Sequence, residues 1–257
     1  MKTAYFWLTP QGKQLAEQLQ AHFGGTVEPK ADFAEAVRRA FADCDALVFV
    51  MATGIVVRTI APLVQSKASD PAVLVLDQRG KYVISLLSGH LGGANAMAEQ
   101  AAAYLGGEAV ITTATDVEHV PAFDLFAKEN HLTIENLEEL KYISGALVAG
   151  EPVSLCTAFP VEKNAFPETV QIQSFSETPP HACAVAIADT TESVAAPHVL
   201  YLRPKSLVLG VGCKKQIPPA HLEQCFRTFL QEHHLSLSAV EKLATIGLKR
   251  EEPAILA

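Results

Sequence analysis

Residues 46–58 read ALVFVMATGIVVR, and this stretch decides the fold class. The apolar run from Ala46 to Met51 has the length of a buried strand, and the turn residues Thr53 and Gly54 follow it. From Ile55 onward, apolar residues recur with the period of an amphipathic helix. A strand that passes through a glycine turn directly into a helix predicts a βα unit. The stretch therefore indicates an α/β protein with a mostly parallel sheet.

The residues around this unit continue the α/β pattern. A turn at Asp77-Gln78-Arg79-Gly80 between two apolar runs predicts a hairpin, and Gly106-Gly107 predicts a helix C-cap. We therefore expect a three-layer N-terminal α/β domain over residues 1–120, with a mostly parallel sheet plus one hairpin. Its predicted strands lie at 3–8, 46–51, 72–76, 81–87 and 110–113, and its predicted helices at 11–23, 33–43, from 55, and 96–105.

The pattern changes after residue 120. Helical stretches at 123–129 and 137–148 precede short β-like runs separated by prolines, which predicts a small α/β middle region over 121–203. A buried strand over 207–212 and a helix from Pro218 to about His233 then predict the start of a C-terminal α/β domain, over 204–257. Residues 251–256 resemble the first turn of another helix, so we expect this last domain to be truncated.

Composition and charge exclude several classes of protein. The 257 residues contain 28 Asp and Glu against 20 Lys and Arg, a net charge of −8, which is opposite to the basic surface of a nucleic-acid-binding protein. No apolar run approaches the roughly 20 residues of a membrane helix, and no secretory leader opens the chain. Five cysteines without a C-x-x-C pair indicate reduced thiols, and no ligand cluster for a metal is evident. We expect a cytoplasmic protein without membrane or nucleic-acid partners.

The segment SGHLGGAN, residues 88–95, is the most informative candidate site. A strand that ends in Ser88-Gly89-His90, with two more glycines before a helix, predicts backbone N–H groups that point outward as an anion or oxyanion site. His90 could act there as general acid or base, because imidazole titrates near neutrality. Alternatively, His90 is an N-cap and the glycines only permit close packing. Asp116, after the hydroxyl-rich run 112–115, could orient His90 if the fold brings them together.

Two further groups of residues are candidates for binding an acidic ligand. Thr53, Gly54 and Arg58 repeat the strand, glycine and helix arrangement, although an arginine on a first helical turn is more often a surface charge. Lys214 and Lys215 follow Gly210-Val211-Gly212 in the carboxylate-free stretch 193–222, which also contains Arg203 and Lys205. This glycine turn lacks the third glycine of a dinucleotide fingerprint, and no Walker motif is present. A solvated basic edge and a clamp for an acidic small molecule both remain open.

Several segments, in order, resemble the CbiG family of cobalamin-biosynthesis proteins. The N-terminal domain of that family is matched by residues 51–62, 70–73, 84–95 and 110–116. Residues 209–215 resemble the start of its C-terminal domain, and 121–204 fit its central region. The family's C-terminal domain continues for many residues beyond the point that corresponds to Ala257.

The resemblance implies a cobalt-precorrin-5A hydrolase activity of anaerobic vitamin B12 biosynthesis. This carbon–carbon bond hydrolase opens the δ-lactone of a cobalt tetrapyrrole and releases acetaldehyde, which gives cobalt-precorrin-5B. The cobalt arrives within the substrate, so no cofactor of the protein's own is implied. Implied partners are the cobalt-tetrapyrrole and neighbouring pathway enzymes, while the oligomeric state stays open. Rival interpretations are a non-catalytic tetrapyrrole carrier and, less favoured, a sugar-phosphate or nucleotide-binding protein.

Combined with the residue patterns, the resemblance gives a set of expected roles. Lactone hydrolysis needs an activated water and donors for the developing oxyanion. We expect His90 to transfer the proton, Asp116 to orient it, and the backbone of Gly92 and Gly93 to contact the oxyanion or a carboxylate. The remaining expected substrate contacts are Thr53, Gly54, Arg58, Ser88, Asn95, Lys214 and Lys215.

Overall fold

The protein is represented by a computed structural model that describes residues 1–66, 69–162 and 165–256. The chain divides into two compact units, residues 1–119 and 120–257. The predicted middle and C-terminal regions, 121–203 and 204–257, both lie within the second unit. Among the described residues, no helix has both the length and the apolar character needed to cross a membrane.

The first unit is a six-stranded sheet with helices on both faces. Its strand order is β2-β1-β3-β4-β5-β6. Strand β5 pairs antiparallel with β4 and parallel with β6, so β5 and β6 run opposite to the other four strands. The strands are β1 (Thr3–Trp7), β2 (Thr26–Val27), β3 (Ala46–Val50), β4 (Ala72–Leu76), β5 (Tyr82–Leu87) and β6 (Glu108–Val110). The helices are α1 (Pro10–Phe23), α2 (Phe33–Asp43), α3 (Thr53–Ile60), α4 (Ala94–Leu105) and α5 (Ala114–Val117).

Side chains of the central strands alternate between two hydrophobic cores. On β3, Val48 packs with α1 and α4, whereas the next residue, Phe49, packs with α2 and α3. Both faces of the strand are buried, so β3 reads as a continuous apolar run rather than an alternating one. The predicted α/β class, with helices covering a mostly parallel sheet and one hairpin, is confirmed.

The hairpin gives this sheet two chemically different edges. We call the edge where β1, β3 and β4 end the first edge, and the edge where β5 and β6 end the second edge. Because β5 runs antiparallel to β4, the two edges lie at opposite ends of the strands. A strand of five residues, such as β3, separates them by about 16 Å.

Most predicted elements of this unit are present, with shifted boundaries. Helix α2 and strand β4 have the predicted bounds, while α4 begins at Ala94 instead of residue 96. The strand predicted over 110–113 is present but lies earlier, as β6, which ends at Val110, where its pairing with Ile84 of β5 ends. The short strand β2 was not predicted, since two residues carry no periodicity.

The second unit contains a five-stranded and a two-stranded sheet. The larger sheet has the order β7-β11-β10-β8-β9, with β7 antiparallel, and the smaller one pairs β12 with β13 in parallel. The strands are β7 (Leu132–Ile134), β8 (Val153–Thr157), β9 (Val170–Ser174), β10 (Cys183–Ile187), β11 (His198–Pro204), β12 (Leu207–Gly210) and β13 (Val240–Ala244). The helices are α6 (Phe123–Glu129), α7 (Leu140–Val148), α8 (Pro219–Glu232) and α9 (Pro253–Leu256).

One strand of this unit differs from its prediction. The buried strand expected over 207–212 ends at Gly210, and its residues alternate between half-buried and exposed. Val208 is 56% exposed, because its side of the small sheet is open among the described residues. An apolar sequence therefore predicted the strand correctly but its burial wrongly.

Candidate functional site

The turn between β5 and α4, residues 88–93, builds the second edge. Strand β5 ends at Leu87, and Ser88 adopts a left-handed conformation with φ of 57°. The Ser88 hydroxyl donates to the carbonyl of Asp70, at 2.9 Å, which ties the turn to the segment before β4. Gly93, with φ of 88°, then leads into α4. The two left-handed residues reverse the chain within a few positions.

Three successive backbone N–H groups, at residues 93–95, donate to carbonyls of this turn. Gly93 donates to the carbonyl of His90 at 3.0 Å, Ala94 to that of Ser88 at 3.2 Å, and Asn95 to that of Gly89 at 3.0 Å. The expectation of an outward N–H at Gly93 is therefore wrong, because the tight turn satisfies that donor internally. Gly92 is required for space, since a Cβ there would lie 2.7 Å from the carbonyl oxygen of Ser88.

His90 and Asp116 form the central pair of the site. His90 Nε2 lies 2.7 Å from Asp116 Oδ2, and the two side chains are 10% and 37% exposed. Asp116 reaches the second edge because α5 starts shortly after β6, which runs parallel to β5. An ionised carboxylate only accepts hydrogen bonds, so His90 Nε2–H is the donor to Asp116. The proximity that sequence alone left open is thus present in the structure.

Asn95, on the first turn of α4, extends this pair into a buried network. Its side-chain amide donates to Asp116 Oδ2 at 2.9 Å and to Thr113 Oγ1 at 3.1 Å. Its oxygen accepts from the hydroxyl of Ser85 at 2.6 Å. Thr115, whose hydroxyl lies 3.5 Å from His90 Nε2, borders the same pair.

Sequence reasoning missed Ser85, Thr113 and Thr115 as members of the network. A signal was available for each of them. Ser85 is a polar residue within the apolar strand β5, and the two threonines belong to the hydroxyl-rich run before Asp116.

The second group of candidates, Thr53, Gly54 and Arg58, lies at the first edge. Thr53 begins α3 and lines a cleft of about 460 Å³, together with Thr9, Met51 and other residues at the ends of β1, β3 and β4. The Arg58 guanidinium folds back over Gly54, where a Cβ would lie 3.4 Å from Nη1. The structure therefore does not bring this group to His90 and Asp116, because the reversed hairpin strand places the two groups at opposite edges.

The basic stretch around Lys214 and Lys215 has an acidic neighbour in the folded structure. Lys214 and Lys215 follow β12, and the adjacent Gln216 donates its backbone N–H to Glu252 at 2.6 Å. Burial opposes ionisation of Glu252, yet hydrogen bonds from Lys249 and Gln216 and the charge of Lys215 hold its pKa below the ordinary value. The loop thus carries a carboxylate beside its lysines, although its own sequence has none.

The Arg203 side chain is buried and does not contribute to a basic ligand site. It is 3% exposed and pairs with Glu135, so it is a buried structural cation rather than part of a solvated edge or clamp. Within residues 1–66, 69–162 and 165–256, no three His, Cys, Asp or Glu side chains come together as a metal site.

Comparisons with known proteins extend these observations. The model for the cobalamin synthesis G N-terminal region matches residues 35–116, that for the central region 121–204, and that for the C-terminus 207–257. A cobalt-precorrin-5A hydrolase of Salmonella typhimurium is 34% identical over 98% of this chain and 77% of its own length. A cobalt-precorrin-5A hydrolase of Priestia megaterium is 36% identical over 82% of this chain and 59% of its own length.

One solved structure is also similar to this chain. The cobalamin biosynthesis protein G homologue of Sulfolobus solfataricus is 24% identical, with a TM-score of 0.48, and the match covers 98% of this chain and 75% of that one. The three family models together match most of the chain, and the Salmonella relative exceeds 30% identity over nearly all of it. The chain therefore belongs to the CbiG family of cobalamin-synthesis proteins.

Proposed function

We propose that this protein is a cobalt-precorrin-5A hydrolase that acts in cobalamin biosynthesis. Family membership and the two curated hydrolases support this assignment. The reaction is hydrolysis of the δ-lactone of the cobalt tetrapyrrole, with release of acetaldehyde and formation of cobalt-precorrin-5B. The cobalt belongs to the substrate, and the protein's own residues supply binding and proton transfer.

The observation that carries the catalytic proposal is the 2.7 Å contact between His90 Nε2 and Asp116 Oδ2. In the proposed mechanism, Asp116 holds the His90 ring through Nε2–H, and the imidazole accepts a proton from the attacking water. Asp116 then stabilises the imidazolium that forms, since the two charges are opposite and close together. Ester cleavage leaves an oxygen on the departing two-carbon unit. As this oxygen becomes the carbonyl of acetaldehyde, the carbon–carbon bond to the macrocycle breaks, and the imidazolium proton goes to the macrocycle carbon that keeps the electron pair.

The substrate contacts are proposed from charge. A tetrapyrrole with acetate and propionate side chains needs local cations on a protein whose net charge is −8. Arg58, beside Thr53 and Gly54 at the first edge, and Lys214 and Lys215 in the second unit are the proposed carboxylate partners. Ser88 and Gly92 are proposed contacts at the second edge. We also propose a cytoplasmic location and handover between this protein and neighbouring pathway enzymes.

Incubation of the purified chain with cobalt-precorrin-5A tests the function directly. Acetaldehyde release and the tetrapyrrole spectrum are followed together, for the native protein and for His90→Gln. We expect native turnover and a loss of about 100-fold to 10,000-fold in kcat for the variant, the range of general acid–base catalysis. His233→Gln, at the exposed end of α8, is the matched control and retains native kcat.

Two results would contradict the proposal. Full acetaldehyde release by His90→Gln would remove His90 from the chemistry while leaving the hydrolase assignment intact. A spectral change without acetaldehyde from the native chain would instead favour the carrier interpretation.

A further inference from the structure

The Asn95 side chain is buried and its amide is hydrogen-bonded at both ends, unlike that of a residue that contacts substrate. It is 7% exposed, and both ends of its amide have partners inside the first unit. An amide has one acceptor oxygen and two N–H donors. The oxygen faces the Ser85 hydroxyl, and the nitrogen faces Asp116 and Thr113. Each donor and the oxygen therefore has a partner within hydrogen-bonding distance.

The chemistry of Asp116 fixes which end of the amide faces it. An ionised carboxylate only accepts, so the Asn95 group at 2.9 Å from Asp116 Oδ2 has to be the NH2 group. The Asn95 oxygen is then left facing Ser85, whose hydroxyl donates to it. Hydrogen-bond donation thus runs from Ser85 to Asn95 and from Asn95 to Asp116.

Asp116 needs such a support. Its side chain is 37% exposed, and it stands on the four-residue helix α5, so little packing fixes its rotamer. Its Oδ2 atom receives N–H groups from two directions, His90 at 2.7 Å and Asn95 at 2.9 Å. Hydrogen bonds to a charged carboxylate are among the stronger ones in proteins. Loss of the Asn95 donor would allow the carboxylate to rotate toward solvent, away from His90.

Gly89 provides an independent indication that the turn is built around the Asn95 amide. A Cβ at position 89 would lie 2.6 Å from Asn95 Oδ1 and 3.0 Å from Asn95 Cγ. The φ angle of Gly89 lies outside the left-handed region, so its backbone does not require glycine. The missing side chain instead provides the space that the Asn95 amide occupies.

We propose that Asn95 is a positioning residue for the reaction: it holds Asp116 in the orientation that receives His90 Nε2–H and does not itself bind substrate. This inference replaces the substrate contact expected for Asn95 from sequence, and it rests on the role of His90 in the proposed function. Ser85 supports Asn95 from the opposite side.

A double-mutant cycle tests whether Asn95 acts through Asp116. Acetaldehyde release is measured for the native protein, Asn95→Ala, Asp116→Asn and the double variant. We expect Asn95→Ala to lower kcat by about tenfold to a hundredfold with KM unchanged, the loss for one hydrogen bond to a charged group. In the Asp116→Asn background the same substitution should cost almost nothing more. Asn130→Ala, on the surface of the second unit, is the control and keeps native kcat.

Equal losses in both backgrounds, or a change in KM alone, would overturn the inference and indicate direct substrate contact. Gly89→Ala is a second variant that leaves the amide chemically intact but crowds it. It should reproduce the loss in kcat, and native kcat in this variant would also count against the proposal. Circular dichroism of each variant verifies that it is folded.

An activity-independent readout separates this inference from the proposed function. An imidazole N–H proton that is bonded to a carboxylate gives a downfield proton NMR resonance, which the His90→Gln variant assigns by its absence. We expect the resonance in the native protein and its broadening or upfield shift in Asn95→Ala. An unchanged resonance would refute the positioning role even if activity fell. If the native protein made no acetaldehyde but the resonance responded, only the proposed function would fail.

Discussion

Arg203 holds several separate segments of the second unit together through one side chain. Its Nε and Nη2 atoms bind Glu135 Oε2 at 2.8 and 2.7 Å. Its Nη1 donates to the carbonyls of Ala188 and Thr190, at 3.1 and 2.6 Å. Glu135 in turn accepts from the Ser236 hydroxyl at 2.8 Å. A buried cation of this kind stabilises mainly by leaving none of these groups unpaired.

Arg203→Met is expected to lower the free energy of unfolding by on the order of 3 kcal/mol, because it leaves Glu135 and two carbonyls without their partner. Urea unfolding followed by circular dichroism measures the change. Arg227→Met is the control, since the Arg227–Glu223 pair on α8 is exposed, and we expect it to cost less than about 0.5 kcal/mol. Equal losses in the two variants would contradict the structural role of Arg203.

The same pair predicts a pH dependence. Burial tends to raise the pKa of Glu135, but hydrogen bonds from Arg203 and Ser236 outweigh it and hold the pKa below the ordinary value of 4.5. A carboxyl with a lower pKa in the folded state stabilises the fold above its unfolded pKa, and this contribution is lost as pH falls. The difference in stability between native protein and Arg203→Met should therefore shrink as the pH drops below 4.5. A constant difference between pH 7 and pH 3 would refute the linkage.

At the residue scale, sequence predicted which residues are candidates for the site better than it predicted their hydrogen-bond and ion-pair partners. His90, in the turn between β5 and α4, and Asp116 were recognisable because their residue types suit proton transfer. Asn95 was assigned to substrate, because nothing local shows that its amide is enclosed. Arg203 lies in a basic stretch, yet its partner Glu135 is 68 residues away in the chain. Burial and pairing of this kind depend on strand order, which no local pattern contains.

At the element scale, the β4–β5 hairpin controls the layout of the candidate residues. Its turn was predictable from Asp77-Gln78-Arg79-Gly80, and the antiparallel pairing is present. The effect of this pairing on the site was not predicted, because in the sequence Thr53-Gly54 and Ser88-Gly89 look like repeats of one arrangement. Reversal of one strand sends the second glycine turn to the opposite edge of the sheet. Helices and strands were predictable from the spacing of apolar residues and the length of each run. The edge of the sheet at which a turn lies depends on strand direction, which these patterns do not give.

Arg58 provides a prediction at this scale. Arg58 lies at the first edge, and the length of a strand, about 16 Å, separates this edge from the second edge, where His90 lies. We expect Arg58→Gln to raise KM for cobalt-precorrin-5A by about tenfold, through loss of a charge-assisted contact, while kcat stays native. Steady-state acetaldehyde kinetics measure both constants, with Arg39→Gln on the exposed face of α2 as control. A fall in kcat with unchanged KM would place Arg58 in the chemical step instead.

At the scale of the whole molecule, burial follows the sheets rather than the sequence pattern. Each unit has a hydrophobic core on either side of its larger sheet. The α/β class was predictable because the central strands β3 and β4 are apolar throughout. Strand β12 of the small sheet is also apolar, but its Val208 is 56% exposed, and Leu243 of its partner β13 is 47% exposed. Apolar sequence predicts where strands form, whereas burial also requires a covering layer.

The reactivity of the five cysteines reports burial at five positions in the chain, because an apolar environment raises the thiol pKa and reduces the fraction of reactive thiolate. Cys225 is exposed on α8, whereas Cys156 is fully buried in β8, where burial, with a smaller effect of Glu177, raises its pKa to about 11. Burial also raises the pKa of the partly buried Cys44 and Cys183.

With a small alkylating reagent at pH 8, we expect Cys225 to be modified first and Cys156 last, with only about one thousandth of Cys156 ionised even where reagent can reach it. Mass spectrometry of proteolytic fragments gives the order, and the urea-unfolded chain is the control, in which the five rates converge because burial is removed. Modification of native Cys156 as fast as Cys225 would show that β8 opens readily. The described packing of β8 between β10 and β9 could not then be the dominant state in solution.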